Sequence, residues 1–159
     1  MLPELITIAH LYAQNDRTLE ALVGDFTAAD WAVTDAVGHD SRWLIGHLAA
    51  TRLRLLGMVG LPPETTEWQG AFGRGTSPKD VSADLDPKAL LHAFHEAHAA
   101  LASHWDHITP EHLAKPLGRT LPDGTDTIGG AIRFLAWHEA YHLGQLGMMR
   151  RLVGKPGLA

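Results

Sequence analysis

Three features of this 159-residue sequence predict an all-α fold, a four-helix bundle. Four long segments repeat apolar residues at spacings of three, four and seven. Strand signals are nearly absent, because no segment alternates apolar and polar residues over six positions between turns. Three of the four segments also open on a helix-capping residue. The length suits one domain, residues 1–159, with enough chain to bury a real core.

The first helix is expected from about Leu2 to Val23, with Leu5, Ala9, Tyr12, Leu19 and Val23 on one stripe. In the next stretch Thr27 can cap a short helical turn. The second helix begins at Asp40 or Ser41 and carries Leu44, His47, Leu48, Thr51, Leu55 and Met58 inward. A long connector, "GLPPETTEWQGAFGRGTSPKDVSADL", has too many Gly and Pro residues for a helix yet keeps Trp68 and Phe72, so a packed role is expected of it. The third helix starts at Asp86-Pro87, a cap followed by a first-turn proline, and repeats through Leu91, Phe94, His98, Leu101 and Trp105. "TPEHLAKPLGRTLPDGTDT" then offers a capped turn and a Pro-Asp-Gly tight turn. The fourth helix starts near Asp126 or Thr127 and carries Ile128, Ala131, Leu135, His138, His142 and Met149. It ends at "VGKPG", where Gly154 can take the left-handed conformation.

Composition narrows the function. A net charge of −5 with scattered Lys and Arg argues against nucleic acid as a partner. No apolar run approaches a bilayer-crossing length and the N-terminus is amphipathic, so no membrane role and a cytoplasmic location are expected. The absence of cysteine removes thiolate nucleophiles and Cys-type zinc sites, so thiol chemistry would need a thiol brought by a substrate.

The stretch "WHEAYHLGQ" contains His138-Glu139-Ala140-Tyr141-His142, an H-E-x-x-H run. His138 and His142 lie one turn apart on the inner stripe, where buried imidazoles need partners. His47 lies on the inner face of the second helix, and three neutral imidazoles from two helices would leave coordination positions open. His98 is a competing ligand. His92 and His95 are expected to be solvated, because steps of three residues turn about 300° each and spread "HAFHEAH" around the helix. His10, His39, His104, His107 and His112 show no pairing pattern, and Asp16 is a candidate acceptor for an imidazole. A zincin-like peptidase is the weaker reading: no histidine follows His142, and a strand-poor chain lacks an edge to align a peptide.

"SRWLIGHLAATRLRLL", the loop with "FGRGTSP" and "IRFLAWHEAYHLGQLGMMRRLVGKPG" resemble the DinB/YfiT-like superfamily of metal-binding four-helix bundles, with "H-x-x-x-H-x-G-Q" the most specific part. The resemblance covers nearly the whole chain. It implies an up-down-down-up bundle with a long crossover between the second and third helices, and a divalent metal, zinc or nickel, on His47, His138 and His142. It also implies a metal-dependent enzyme acting on a small molecule, a thiol S-transferase with a low-molecular-weight thiol cosubstrate or a hydrolase, or else a non-catalytic metal-binding stress-response bundle. Glu139 is the candidate catalytic base, with a solvent-facing position as the alternative. Trp43, Trp68 and Phe72 favour a substrate pocket. Relatives of this kind form homodimers, and Gly144 and Gly147 make the fourth helix a candidate for close packing within the bundle or across a two-fold axis.

Overall fold

Asp40, Asp86 and Thr127 each start a long helix, and in a computed structural model of the chain each accepts a backbone N–H of its own first turn, from Trp43, Lys88 and Gly130. The structure describes residues 1–36, 38–63, 66–73, 75–82 and 84–158, so part of the long connector, Arg74 of "FGRGTSP" included, lies outside the described residues. The helices are α1 (Pro3–Val23), α2 (Ala28–Trp31), α3 (Ser41–Met58), α4 (Pro87–His104), α5 (Pro110–Leu113) and α6 (Ile128–Leu152). Short 3₁₀ turns stand at Glu67–Phe72, Pro78–Asp80 and Trp105–His107. α2 is the turn capped by Thr27, closed by a reciprocal bond with Asp30. α6 stops where Gly154 takes φ +79°, a backbone angle that side chains disfavour.

Side-chain pairings set the topology. Tyr12 bonds the carbonyl of Ile132, Asn15 that of Ala136, and Arg150 that of Leu22, so α1 and α6 run parallel. Arg52 lies over Phe94 and His104 reaches the carbonyl of Val59, so α3 and α4 also run parallel. His47 and Arg52 meet His142 and Glu139 in reversed order, and Tyr12 and Asp16 meet Trp105 and His95 likewise, so those pairs are antiparallel. This is an up-down-down-up bundle. Two parallel neighbours, α3 and α4, need a connection that returns the full helix length, and residues 59–86 supply it.

The core has two apolar halves. Leu19, Leu22, Leu44, Leu48, Phe72, Phe94 and Leu146 fill one, and Leu5, Tyr12, Leu55, Leu101, Trp105 and Ile132 fill the other. Between them along the helices lies a buried polar layer built on Arg52, Glu139 and Asn15. The crossover is packed as expected: Phe72 is fully buried and Trp68 lies against the core. The Phe72 ring occupies the space a Cβ would need at Gly46, so this glycine lets the crossover lie directly on α3. His104 and His112 have a use that spacing did not suggest. Their Nε2 atoms each stand 2.9 Å from the carbonyls of Val59 and Met58, satisfying the open C-terminus of α3.

Candidate metal centre

His47, His138 and His142 converge, with one ligand atom from each within 4.8 Å of the others. His47 Nε2 is 3.2 Å, and His142 Nε2 3.0 Å, from His138 Nε2. The remaining nitrogens decide what those atoms are. His47 Nδ1 lies 2.8 Å from the carbonyl oxygen of Phe72, which can only accept, so Nδ1 carries the proton and Nε2 a lone pair. His142 Nδ1 lies 2.5 Å from Gln145 Oε1, which leaves a lone pair on its Nε2 as well. Both face His138 Nε2, which when neutral has at most one proton to give. One lone pair is therefore unmatched unless a cation sits among the three. Tetrahedral zinc with Zn–N near 2.1 Å holds its ligand nitrogens about 3.4 Å apart, close to the spacing found.

Burial keeps these rings neutral. It pushes His138 down to about 3, helped by the charges its neighbours His142 and His47 would carry, and by Arg54. His142 falls to about 4, again mainly through burial, and then through His47, with Gln145 opposing. His47 is lowered by the same burial against the opposing Phe72 carbonyl. Neutral imidazoles at neutral pH are the protonation state a metal needs.

The rings are held from outside as well. Trp43 stacks on His47 at 5.1 Å and 10°, and its Nε1 donates to Thr76 in the crossover. His39 also stacks on Trp43, at 4.9 Å. The crossover thus orients one ligand by the Phe72 carbonyl and steadies its neighbour through Thr76. Gln145, the last residue of the H-x-x-x-H-x-G-Q run, does the same for His142.

An open cleft of about 1250 Å³ lies over the three histidines. Trp43, Thr51, Arg54 and Met58 of α3 line one wall, and Phe134, Trp137 and Tyr141 of α6 another. Leu121 and Pro122 reach over it from the loop before α6, tied as a short hairpin by Leu117 N–H to Asp126 and Leu121 N–H to Thr125. Trp68 and Phe72 do not line the cleft; Phe72 supports the site from beneath.

Glu139 does not behave as the peptidase pattern requires, nor does it face solvent. It is 1% exposed, is absent from the cleft lining, and binds fully buried Arg52 in a two-pronged pair of 2.8 and 2.6 Å. Asn15 Nδ2 donates to the same carboxylate at 3.2 Å. A helix turns about 100° per residue, so the residue after His138 points between α1 and α3, where Arg52 waits. Arg52 was the residue missed from the sequence; the available signal was an arginine on the apolar run "HLAATRLRLL". Asp16 does orient an imidazole, at 2.9 Å, but that of His95, and it also accepts from Arg52. His95, expected in solvent, is half-buried between Asp16 and Glu20. His98 is lowered by burial and then by the nearby Arg52 charge, and it stands apart from the three clustered rings.

The family model of the DinB superfamily matches residues 10–146. The chain belongs to the DinB superfamily. No curated protein matches it. Among solved structures, this DinB protein is similar to YfiT from Bacillus subtilis, described as a probable metal-dependent hydrolase with an unusual four-helix bundle topology. That match has a TM-score of 0.71 and 17% identity, and covers 98% of this chain and 91% of that one. At this identity it supports the fold, and the fold it supports is the bundle described above.

Proposed function

We propose that this DinB protein is a metal-dependent enzyme acting on a small molecule, with a divalent ion held by His47, His138 and His142. The observation that carries the reading is the convergence of three Nε2 atoms, two of them committed as lone pairs by Phe72 and Gln145. An all-nitrogen set suits zinc or nickel. Such an ion, when bound, lowers the pKa of a ligated water or thiol and so supplies a nucleophile at neutral pH.

The protein's own groups do the rest. Phe72 and Gln145 fix the two rings, and Trp43 and Trp137 wall the cleft. Hydrolysis by water is the leading reaction, in keeping with the description of YfiT. Transfer to a low-molecular-weight thiol is the second, and it suits a chain without cysteine. A peptidase is disfavoured, since the carboxylate it needs is locked by Arg52 and Asn15.

We also propose a homodimer through α6. Trp137, Tyr141, Met148 and Leu152 form an exposed apolar stripe, and Gly144 in its midst has nothing within 4 Å of where a Cβ would stand. The function is tested with a panel of small esters, amides and lactones, with and without added thiol, on metal-loaded protein. Turnover should vanish with chelator, return with zinc or nickel, and be absent in His142→Ala. Turnover that survives chelation and this substitution would overturn the reading.

A further inference from the structure

The cleft over the histidines carries positive charge that the metal reading does not use. Arg54 stands seven residues after His47 on α3, which puts both on the same face. Its guanidinium is folded back along the helix: Nε donates to the carbonyl of Ala50 at 3.2 Å and Nη2 to Thr51 Oγ1 at 3.3 Å. The charged group is therefore held over the turn next to His47, about 5 Å along the axis from it, and its Nη1 is left for another acceptor. Arg119 reaches the same cleft from the hairpin before α6. Among the described residues neither arginine has a carboxylate partner. The two lie close enough that, after burial, Arg119 is the cause lowering Arg54.

Arg133, the third arginine of the lining, has an acidic residue of the same cleft, Asp123, within reach of its charge; Asp123 is lowered first by the Thr125 hydroxyl, then, against burial, by backbone bonds and last by Arg133. Asp123 is itself occupied by the N–H and hydroxyl of Thr125 at 3.1 and 2.8 Å. Two like charges are thus brought together by separate elements beside an aromatic wall, with one anchored by its own helix. A planar guanidinium in that setting matches an oxyanion.

We propose that Arg54 and Arg119 form a recognition site for the carboxylate of a small-molecule substrate, whose apolar body lies against Trp43, Phe134 and Trp137. The proposal rests on the metal-dependent reading for the reacting centre, and names the class of substrate: an organic acid with its labile group roughly one helical turn from its carboxylate.

Benzoate and its neutral isostere benzamide are suitable probes, titrated calorimetrically into zinc-loaded wild type, Arg54→Gln, Arg119→Gln and Arg133→Gln. Benzoate should bind the wild type at least tenfold more tightly than benzamide. Arg54→Gln and Arg119→Gln should each weaken benzoate about tenfold and leave benzamide unchanged, while Arg133→Gln has little effect. All three side chains are exposed, so folding should survive, as far-UV circular dichroism can check. In His138→Ala, benzoate binding should persist and still depend on Arg54. Equal binding of the two probes, indifference to both arginines, or no benzoate binding at tens of millimolar would overturn the site. Loss of benzoate binding in His138→Ala would overturn it too, by assigning the carboxylate to the metal. A protein that takes up no zinc yet binds benzoate through Arg54 would instead refute the metal reading and leave this one standing.

Discussion

Replacing Glu139 with glutamine separates the two roles that the H-E-x-x-H run suggests. In the structure the carboxylate binds Arg52 through both oxygens and accepts from Asn15, all away from solvent. Glutamine keeps the shape and one acceptor, but it turns an N–H toward donors and leaves Arg52 with Asp16 as its remaining carboxylate. Breaking one side of a buried ion pair costs about 3–5 kcal/mol, and the retained acceptor places this change near the lower end. For a chain of 159 residues each kcal/mol moves the melting temperature by roughly 2–4 °C, so a loss of about 6–12 °C is expected. The three Nε2 atoms are untouched, so bound metal should stay and activity below the melting range should largely remain. A general base would give the opposite pattern, an intact melt with turnover down by about 10²–10⁴-fold. Thermal denaturation, metal content and turnover on one preparation distinguish them. An unchanged melting temperature with lost turnover would refute the structural role.

Gly46→Ala should drive a Cβ into the Phe72 ring, destabilise the fold by about 1–3 kcal/mol and weaken metal binding by displacing the carbonyl that orients His47; urea melts and metal titration check both. Gln145→Ala removes the partner of His142 Nδ1 and should lower metal affinity about 10–100-fold with little change in the melt. Asp25 is held down to about 2, first by its hydrogen bond from Arg150, so its contribution is present above the ordinary carboxylate range and is lost as pH falls toward 2. Asp25→Asn should therefore be less stable than wild type at neutral pH, with the difference closing in acid melts. Sedimentation at micromolar concentration should show a dimer that Tyr141→Glu or Met148→Glu dissociates; a monomeric wild type would remove the α6 interface.

The parts of this fold that local chemistry controls were readable from sequence. Asp40, Asp86 and Thr127 cap helices whose starts the sequence places at Asp40 or Ser41, at Asp86 and at Asp126 or Thr127, because an N-cap is satisfied within four residues. The stripe placing His138 and His142 together also depends only on helical period. What escaped the reading depends on partners far along the chain. Arg52 meets Glu139 across 87 positions, and His95 meets Asp16 across 79, so neither pairing leaves a trace in spacing. The same holds for His104 and His112, which look unpaired in sequence and close the end of α3 in space. The burial of Glu139 leaves no trace for the same reason: the H-E-x-x-H pattern is defined by neighbours on one helix, whereas the partner of Glu139, Arg52, is on another.

His47, His138 and His142 are expected to hold one divalent ion. Elemental analysis after zinc loading and exhaustive dialysis tests it most directly, comparing wild type with His47→Ala and His138→Ala. The wild type should hold one ion per chain and each variant should lose most of it, with the helical circular dichroism spectrum kept. Metal retained at the wild-type level in either variant, or a folded wild type that holds none, would contradict it.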